Sequence, residues 1–484
     1  MPLSPADETW LSIHGIHPEE ARRQIRLLSE GTTAPRLLRA ARIGDGIARL
    51  TLLQRDRWTR RTHETPSRLG FFVPASGAAS RMFASLRELA KNLEHLSAHL
   101  PTRYLMSIPV VERALKAAGL DPSDTAGNTL KMLSPQSEGG LGWPDLPKAF
   151  LPFHAPGKEG IRTAFEEQIH ETCDILGPGN FGTLHLTLGS ELVGMVLELQ
   201  EQAGRIATDR ECRLDLLITA QEPSTDTLAM REDSQIARDA QGHPLLRAGG
   251  HGSLLCNLSQ TPGEVILIKN IDNIQPRWRQ GLIVPWRLAL AGIALELRLR
   301  SDRLLQSAIG SQKEASAAKD LRDLLHEFGR NEELDIPALR LAADRPVRVA
   351  GMVRNDGAPG GGPFWVEGKG LQIVEQSEVS KEASQRELLH GSTHFNPVEM
   401  ACCLRQPDGT LHDLERFRDA SRAFVSHKPD ALNGPIRVLE HPGLWNGSMG
   451  DWLTLFVEIP PETFLPAKTI YDLAHPWRQP PGDF

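Results

Sequence analysis

The sequence predicts an α/β protein in which a mostly parallel sheet is flanked by helices. Three observations lead there. From residue 66 to about 300, short apolar runs alternate with segments whose apolar residues recur at helical spacing, the pattern of strand–helix–strand units. The first of these runs ends in a turn of small residues, Ala75-Ser76-Gly77-Ala78-Ala79-Ser80, and gives way to Met82, Phe83, Leu86, Leu89, Ala90 and Leu93 on one helical face; this reads as strand, tight loop, helix. A chain of 484 residues with 40% hydrophobic and 24% charged residues has the composition of a soluble globular protein and the length of two or three domains.

In chain order, residues 1 to about 65 are polar and Arg-rich, with helical spacing over Ala21–Leu28 and Leu37–Ala48, and predict a helical N-terminal region. The strands expected next are Gly70–Val73, Thr183–Leu188, Leu214–Thr219 and Val265–Lys269. Helices follow the first two, and Glu159–Ile175 is a further one. Gly281–Leu299 is the most apolar stretch, but Pro285, Arg287, Glu296 and Arg298 interrupt it, so it predicts a buried element rather than a membrane span. Residues 300–345 are charged and helical, most clearly over Ala315–Phe328, as in an insertion. A Gly/Pro-rich loop, Asn355–Phe364, precedes a β-rich stretch, Trp365–Val374, and Ile436–Leu439 and Thr454–Ile459 are the last strand candidates. The expected division is 1–65, then 66–420 with a helical insertion at about 300–345, then a β-rich segment 421–484.

A net charge of −7 argues against nucleic-acid or anionic-membrane partners, which favour basic surfaces. A nucleotide-sized ligand needs only a local cluster of cations. No basic stretch followed by an apolar one opens the chain, and its five cysteines contain no Cys-x-x-Cys pair; a reduced, cytoplasmic protein without zinc or disulfides is expected. Cys402-Cys403 follows an apolar, helix-like start and reads as core.

Five constellations carry chemistry. In the opening loop, N–H groups at a helix start with Arg81 beside them form an anion site, although small residues there also serve as a packing solution. Lys148 stands between Pro147 and Pro152; proline fixes the backbone and presents the lysine, to a ligand or to solvent. Gly249-Gly250-His251-Gly252 lets the backbone press against a flat ligand, or makes a turn. Asp272 ends the run Val265–Lys269-Asn270-Ile271, where ligands bind in α/β sheets. One carboxylate there suits Mg²⁺ held against phosphate oxygens, and an Asx turn is the structural alternative. Finally, Phe464-Leu465-Pro466-Ala467-Lys468, with Asp472-Leu473 beyond it, again sets a lysine after a proline-stiffened turn.

Taken together and in this order, the motifs resemble those of the UDP-sugar pyrophosphorylases, the uridylyltransferases that join UTP to a sugar 1-phosphate. Val73–Met82 is similar to that family's Leu-Ala-Gly-Gly-x-Gly-Thr-Arg loop, Pro147-Lys148 with Leu151-Pro152 to its Pro-Lys segment, and Gly250-His251-Gly252 to its Gly-His-Gly loop. Asn270-Ile271-Asp272-Asn273 resembles its Asn-Val-Asp-Asn, His394-Phe395-Asn396 its Tyr-Phe-Asn, Ile373-Val374-Glu375 its Ile-Val-Glu, and Phe464–Lys468 its Phe-Leu-Pro-Val-Lys. The resemblance covers about residues 70–475.

It implies a nucleotide-diphospho-sugar transferase (GT-A-like) sheet, a C-terminal segment that returns Lys468 to the site, and Mg²⁺-dependent formation of an NDP-sugar, with UTP the expected nucleotide. The implied roles are phosphate binding and catalysis for Arg81, Lys148 and Lys468, metal binding for Asp272, and nucleotide binding for Ala75–Ser80, Gln221, Gly250, His251 and Gly252. Asn396 and Glu375 are implied to face the sugar, with Lys428 a further candidate cation. A non-catalytic nucleotide-binding protein on the same fold is the alternative. Ala79 and Ser80 depart from the family's Gly and Thr, and Asn355–Trp365 and Gly443–Trp452 have no counterpart in it. A dinucleotide-dependent oxidoreductase is disfavoured because Gly77 is not part of a Gly-x-Gly-x-x-Gly, and no Asp-x-Asp of GT-A glycosyltransferases occurs.

Overall fold

The computed structural model of the chain describes residues 3–64, 69–77, 79–91, 100–157, 160–307, 314–330, 334–357 and 360–479. It is a mixed α/β structure of two compact units, both discontinuous in sequence: Met1–Ser67, Gln221–Leu267 and Ala289–Pro460 form one, and Arg68–Ala220, Ile268–Leu288 and Pro461–Phe484 the other.

The larger unit holds strands in the order Arg42–Ile43, Gly46–Arg49, Leu453–Glu458, Val347–Arg354, His394–Cys403 and Val265–Ile268. The first four are mutually parallel, and His394–Cys403 runs antiparallel to Val347–Arg354. Cys402 and Cys403 are buried here in a strand rather than a helix. A hairpin, Gly362–Val366 with Gly370–Val374, pairs with Leu37–Ala40, and Phe364, Val366 and Val374 bury their side chains against Leu37 and Leu389. The N-terminal helices Pro5–Ile13 and Pro18–Glu30 pack Leu11, Ala21 and Leu28 onto Leu228, Met230 and Leu439 of an antiparallel sheet. The charged region after residue 300 is helical, as Glu314–Glu327 and Ile336–Ala343.

One N-terminal expectation fails. Leu37–Ala48 is not helical; it forms short strands, with Gly44 and Gly46 between and within them at φ of 81° and 96°. Those left-handed positions end a helix and let the chain fold back on itself. The N-terminal region is therefore helical only over Pro5–Ile13, Pro18–Glu30 and Leu52–Glu64.

The smaller unit is organised by three parallel strands, Leu69–Pro74, Phe181–Leu188 and Arg213–Ala220. Their apolar residues Phe71, Phe72, Leu184, Leu186 and Leu216 are buried. Helices Ala164–Leu176 and Val196–Asp209 connect and cover them. The first begins five residues later than the periodicity of Glu159–Ile175 predicts, because Thr163 and Glu166 form a capping box that fixes its start. The opening strand leads into a 3₁₀ turn, Ala79–Arg81, and the seven-residue helix Ala84–Ala90. Beyond the strand end at Ile268, residues 268–288 cross the unit, and the C-terminal segment 461–479 returns to it. Among the described residues, no helix is long and apolar enough to cross a membrane; the apolar stretch after Gly281 lies in the helix Gln280–Ser307, with Pro285 inside it.

Candidate active site

Within the smaller unit, four chain segments converge on one cleft of about 410 Å³, lined by Pro74, Gly77, Arg81, Lys148, Asn270, Ile271, Asp272 and Lys468. The sequence places these residues up to 394 positions apart (Pro74 to Lys468). Their convergence follows from local bonding. Ala75 N–H donates to Thr187 O at 3.0 Å, which continues the parallel pairing one residue past the strand, and Ala79 N–H donates to Leu146 O at 2.9 Å. Lys148 N–H donates to Gly77 O at 3.4 Å, so the opening loop and the Pro147-Lys148 turn are held side by side.

Lys148 then reaches across. Its Nζ donates to Asp272 Oδ2 at 3.0 Å and to Ala467 O at 3.2 Å. Asp272 is fixed by its own backbone, whose O accepts Ala467 N–H at 2.9 Å, and Asn273 Oδ1 accepts Leu465 N–H at 2.9 Å. This side chain is a structural clamp that the sequence reading did not single out. Asp272 Oδ1 carries no hydrogen bond among the described residues. The turn that presents Lys468 is tied by Asp472 Oδ2, which accepts the N–H groups of Lys468 (2.8 Å) and Thr469 (2.6 Å). Ile470 N–H donates to Met82 O at 3.1 Å, which closes the ring of segments back onto the opening loop.

Behind this ring lies Arg478, 1% exposed. It donates to His154 Nε2 at 2.8 Å, to Ile274 O at 3.3 Å and to Leu465 O. Burial pulls its guanidinium down to about 10, with Asp472, Asp272 and Glu167 opposing. Burial likewise keeps His154 below its usual range, against the Glu167 carboxylate 3.2 Å from its Nδ1, so His154 is neutral and suited to accept from Arg478. No short motif marks this pair, and 324 residues separate its members.

The opening loop differs from the expectation in one respect. Ala75 and Ala79 are buried, with their N–H donors engaged by Thr187 and Leu146, while Ser76, Gly77 and Ser80 are exposed. Ala78 lies outside the described residues. The following helix has only seven residues, so the cationic character of the cleft comes from Arg81, Lys148 and Lys468 rather than from a long helix terminus. The chemistry available is that of three cations around a single carboxylate. Such a set suits an oligophosphate: lysines supply point charges, and arginine a planar fork for phosphate oxygens.

The other predicted site residues belong to the larger unit, in two local groups. Glycines 249–252 do allow a close approach, but the neighbour that makes it is the chain at 440–443. A Cβ would meet His441 Cδ2 at 2.4 Å from Gly249, Glu440 Oε2 at 2.8 Å from Gly250, and Pro442 O at 2.1 Å from Gly252. His251 Nδ1 accepts Leu444 N–H at 3.0 Å and its ring stacks on Trp445, while Gln221 Nε2 donates to Asp226 Oδ1 at 3.0 Å. The second group collects around Gly361 in the Gly/Pro-rich loop: a Cβ there would lie 2.6 Å from Glu375 Cα and 2.7 Å from Asn396 Oδ1. That oxygen is buried and accepts no hydrogen bond among the described residues. Burial and the neighbouring Glu378 carboxylate push Glu375 up to about 7, against the pull of Arg422. Arg422 is committed to Glu378 at 2.8 Å, and Asn446 Nδ2 also donates to Glu378. Lys428 pairs with Glu440 at 3.4 Å. No cluster of three or more His, Cys, Asp or Glu placed to hold a metal occurs among the described residues.

The fold and cleft define a mixed α/β protein with a cation-lined cleft assembled from discontinuous segments. The chain belongs to the family described as Domain of unknown function (DUF4301), which matches residues 4–109 and 110–479. Among curated proteins, none matches it. Among solved structures it is similar to UDP-N-acetylglucosamine pyrophosphorylase from Trypanosoma brucei in complex with an inhibitor, at 12% identity, TM-score 0.43, covering 98% of this chain and 82% of that one. A mutant UDP-glucose pyrophosphorylase from Leishmania major in complex with UDP-glucose gives 12% identity and TM-score 0.42, over 93% and 73% of the two chains. UDP-glucose phosphorylase from Trypanosoma brucei gives 12% and 0.46, over 97% and 77%.

Proposed function

We propose that this protein is a sugar-1-phosphate nucleotidyltransferase, with UTP the expected nucleotide, built on a sheet of the nucleotide-diphospho-sugar transferase type. One observation carries the reading: Arg81, Lys148, Asp272 and Lys468, each from a separate motif of the pyrophosphorylase-like series, line a single cleft.

The reaction joins two polyanions. An oxygen of the sugar phosphate attacks the α-phosphorus of the triphosphate, the Pα–O–Pβ bond breaks, and pyrophosphate leaves with the bridging oxygen and its electron pair. The attacking oxygen belongs to a phosphate monoester whose second pKa is about 6, so no general base is needed. The obstacle is repulsion, roughly 4 kcal/mol for each pair of unit charges about 4 Å apart at an effective dielectric near 20. In this reading Arg81 holds the β- and γ-phosphates. Lys148 turns from Asp272 and Ala467 O toward the α-phosphate, and Lys468 neutralises the charge that develops on the pyrophosphate. These are positioning and charge-stabilising roles, and the clamps at Asn273 and Asp472 hold the backbone that carries Asp272 and Lys468.

A magnesium ion fits the donor set only if substrate supplies most of its oxygens, because Asp272 is a lone carboxylate with Oδ1 uncommitted. Bound there, the ion would screen the phosphate charge. For Glu375 and Asn396 the proposal is the sugar contact that the motif order implies. Calorimetric titration tests the cleft: a nucleoside triphosphate should bind the wild type and lose most of its affinity in Lys148→Ala. Equal affinity in both would remove the cleft from the proposal.

A further inference from the structure

A buried ionic cluster in the smaller unit is used by no part of the proposed reaction. Glu171, on the helix Ala164–Leu176, is 0% exposed, with Lys269 at 2% and Arg287 at 1%. Lys269 Nζ donates to both Glu171 oxygens at 2.7 and 3.0 Å, Arg287 donates to Oε1, and Gln280 Nε2 donates to Oε2 at 3.1 Å. Burial alone would raise the Glu171 carboxyl, but Lys269 and Arg287 outweigh it and hold the group ionised, below its usual range. Stability alone is a weak reason for such a cluster, since well-packed apolar side chains of similar volume commonly do as well.

Its connections lead elsewhere. Lys269 directly precedes Asn270-Ile271-Asp272, and its N–H donates to Phe72 O at 3.4 Å, on the strand that launches the Arg81 loop. Gln280 Nε2 also donates to Gln275 O at 3.1 Å. The Gln275 side chain in turn donates to Glu462 O at 3.4 Å and accepts Arg279 Nε at 3.2 Å, while Arg279 Nη2 reaches Glu462 O at 3.1 Å. Glu462 lies in the C-terminal segment that carries Lys468. One carboxylate is thus wired to the strand end bearing Asp272, the strand leading to Arg81, and the segment bearing Lys468.

We propose that Glu171 is a positioning residue, which acts through Lys269 and Gln280 to hold Asp272, Arg81 and Lys468 in register without touching the ligand. The proposal rests on the nucleotidyltransferase reading of the cleft. Removing the carboxylate alone would strand two buried cations, so Glu171→Gln confounds folding with function. The informative variants in the full chain are Gln280→Met, which removes the Gln280 bonds to Glu171 and Gln275 O and keeps both cations on Glu171, and the triple variant Glu171→Leu/Lys269→Met/Arg287→Met, which replaces the cluster by apolar volume.

Misplacement of a reacting group by about 1 Å can cost on the order of 10²-fold. The triple variant should therefore melt within a few degrees of the wild type, bind pyrophosphate within about threefold, and lose about 10²-fold in kcat. Gln280→Met should lose about fivefold to tenfold in kcat with KM for the triphosphate nearly constant. Wild-type kcat in both variants, or activity that falls only in step with the folded fraction, overturns the positioning role and leaves the functional reading intact. A wild type that neither binds pyrophosphate nor turns over overturns both.

Discussion

Asp272→Asn separates the electrostatic roles in the cleft, because it should move ligand binding and turnover in opposite directions. In the wild type the Asp272 carboxylate holds Lys148 at 3.0 Å and repels any phosphate drawn into the same cleft. A phosphate charge about 5 Å from Asp272 is opposed by roughly 3 kcal/mol at an effective dielectric near 20. The side chains of Lys148 and Asp272 are 16% and 23% exposed, so solvent and salt reduce this to about 1–2 kcal/mol. Without divalent metal, the amide variant should therefore bind pyrophosphate about five- to thirtyfold more tightly. With magnesium its turnover should collapse, since an amide offers no charge to a hard cation already crowded by phosphates. The fold should persist: the link to the C-terminal segment runs through Asp272 O, which the substitution keeps. Calorimetry in chelator, paired with pyrophosphate release in magnesium, reads both effects. Unchanged metal-free affinity, or near-normal turnover, would refute the reasoning.

Arg81→Ala should weaken triphosphate binding more than monophosphate binding, which titration of both ligands measures; equal losses would move Arg81 off the terminal phosphates. Lys468→Ala should lower kcat on the order of 10²–10³-fold with little change in melting temperature, as expected for a lysine whose turn is held by Asp472 through the backbone. Glu375 provides a pH test. Its pKa rises from 4.5 to about 7 in the fold, so the folded state binds the extra proton. Its contribution to stability is complete below pH 4.5 and disappears as pH climbs through 7, about 3 kcal/mol in all. Denaturation midpoints should show Glu375→Gln near wild type at pH 5 and more stable at pH 8; equal differences at both values would contradict the shift.

The parts of this protein that were legible in its sequence are those determined by neighbours along the chain. Gly70–Val73, Thr183–Leu188 and Leu214–Thr219 read as strands because they are short apolar runs bounded by turn residues, and the parallel sheet of the smaller unit uses all three. The prolines around Lys148 and before Lys468 signalled presented side chains, and both lysines line the cleft. What depends on distant partners was not legible. Apolar spacing over Leu37–Ala48 satisfies a helix as well as a strand, and the choice is made by pairing with Phe364 and Trp365 more than 300 residues later; Gly44 and Gly46 were the available warning. The glycines around His251 suggested a backbone pressed against a flat ligand, and nothing local reveals that the surface approaching them is the chain at Pro442. Asn273 and Arg478 act on backbone groups of remote segments, at Leu465 and Ile274, and single side chains in such roles leave no periodicity. Glu171 and Lys269 meet across 98 positions, and each alone looks like an ordinary charged residue.

The central claim, that this cleft transfers a nucleotidyl group, is tested most directly by pyrophosphate release. Purified full-length protein is incubated with magnesium, pyrophosphatase, each of the four common nucleoside triphosphates in turn, and a panel of sugar 1-phosphates. The account predicts phosphate production that requires both substrates, is strongest with UTP, and is lost in Lys148→Ala. Tight triphosphate binding with no turnover across the whole panel would contradict it, and would leave a nucleotide-binding protein on an enzyme-like cleft.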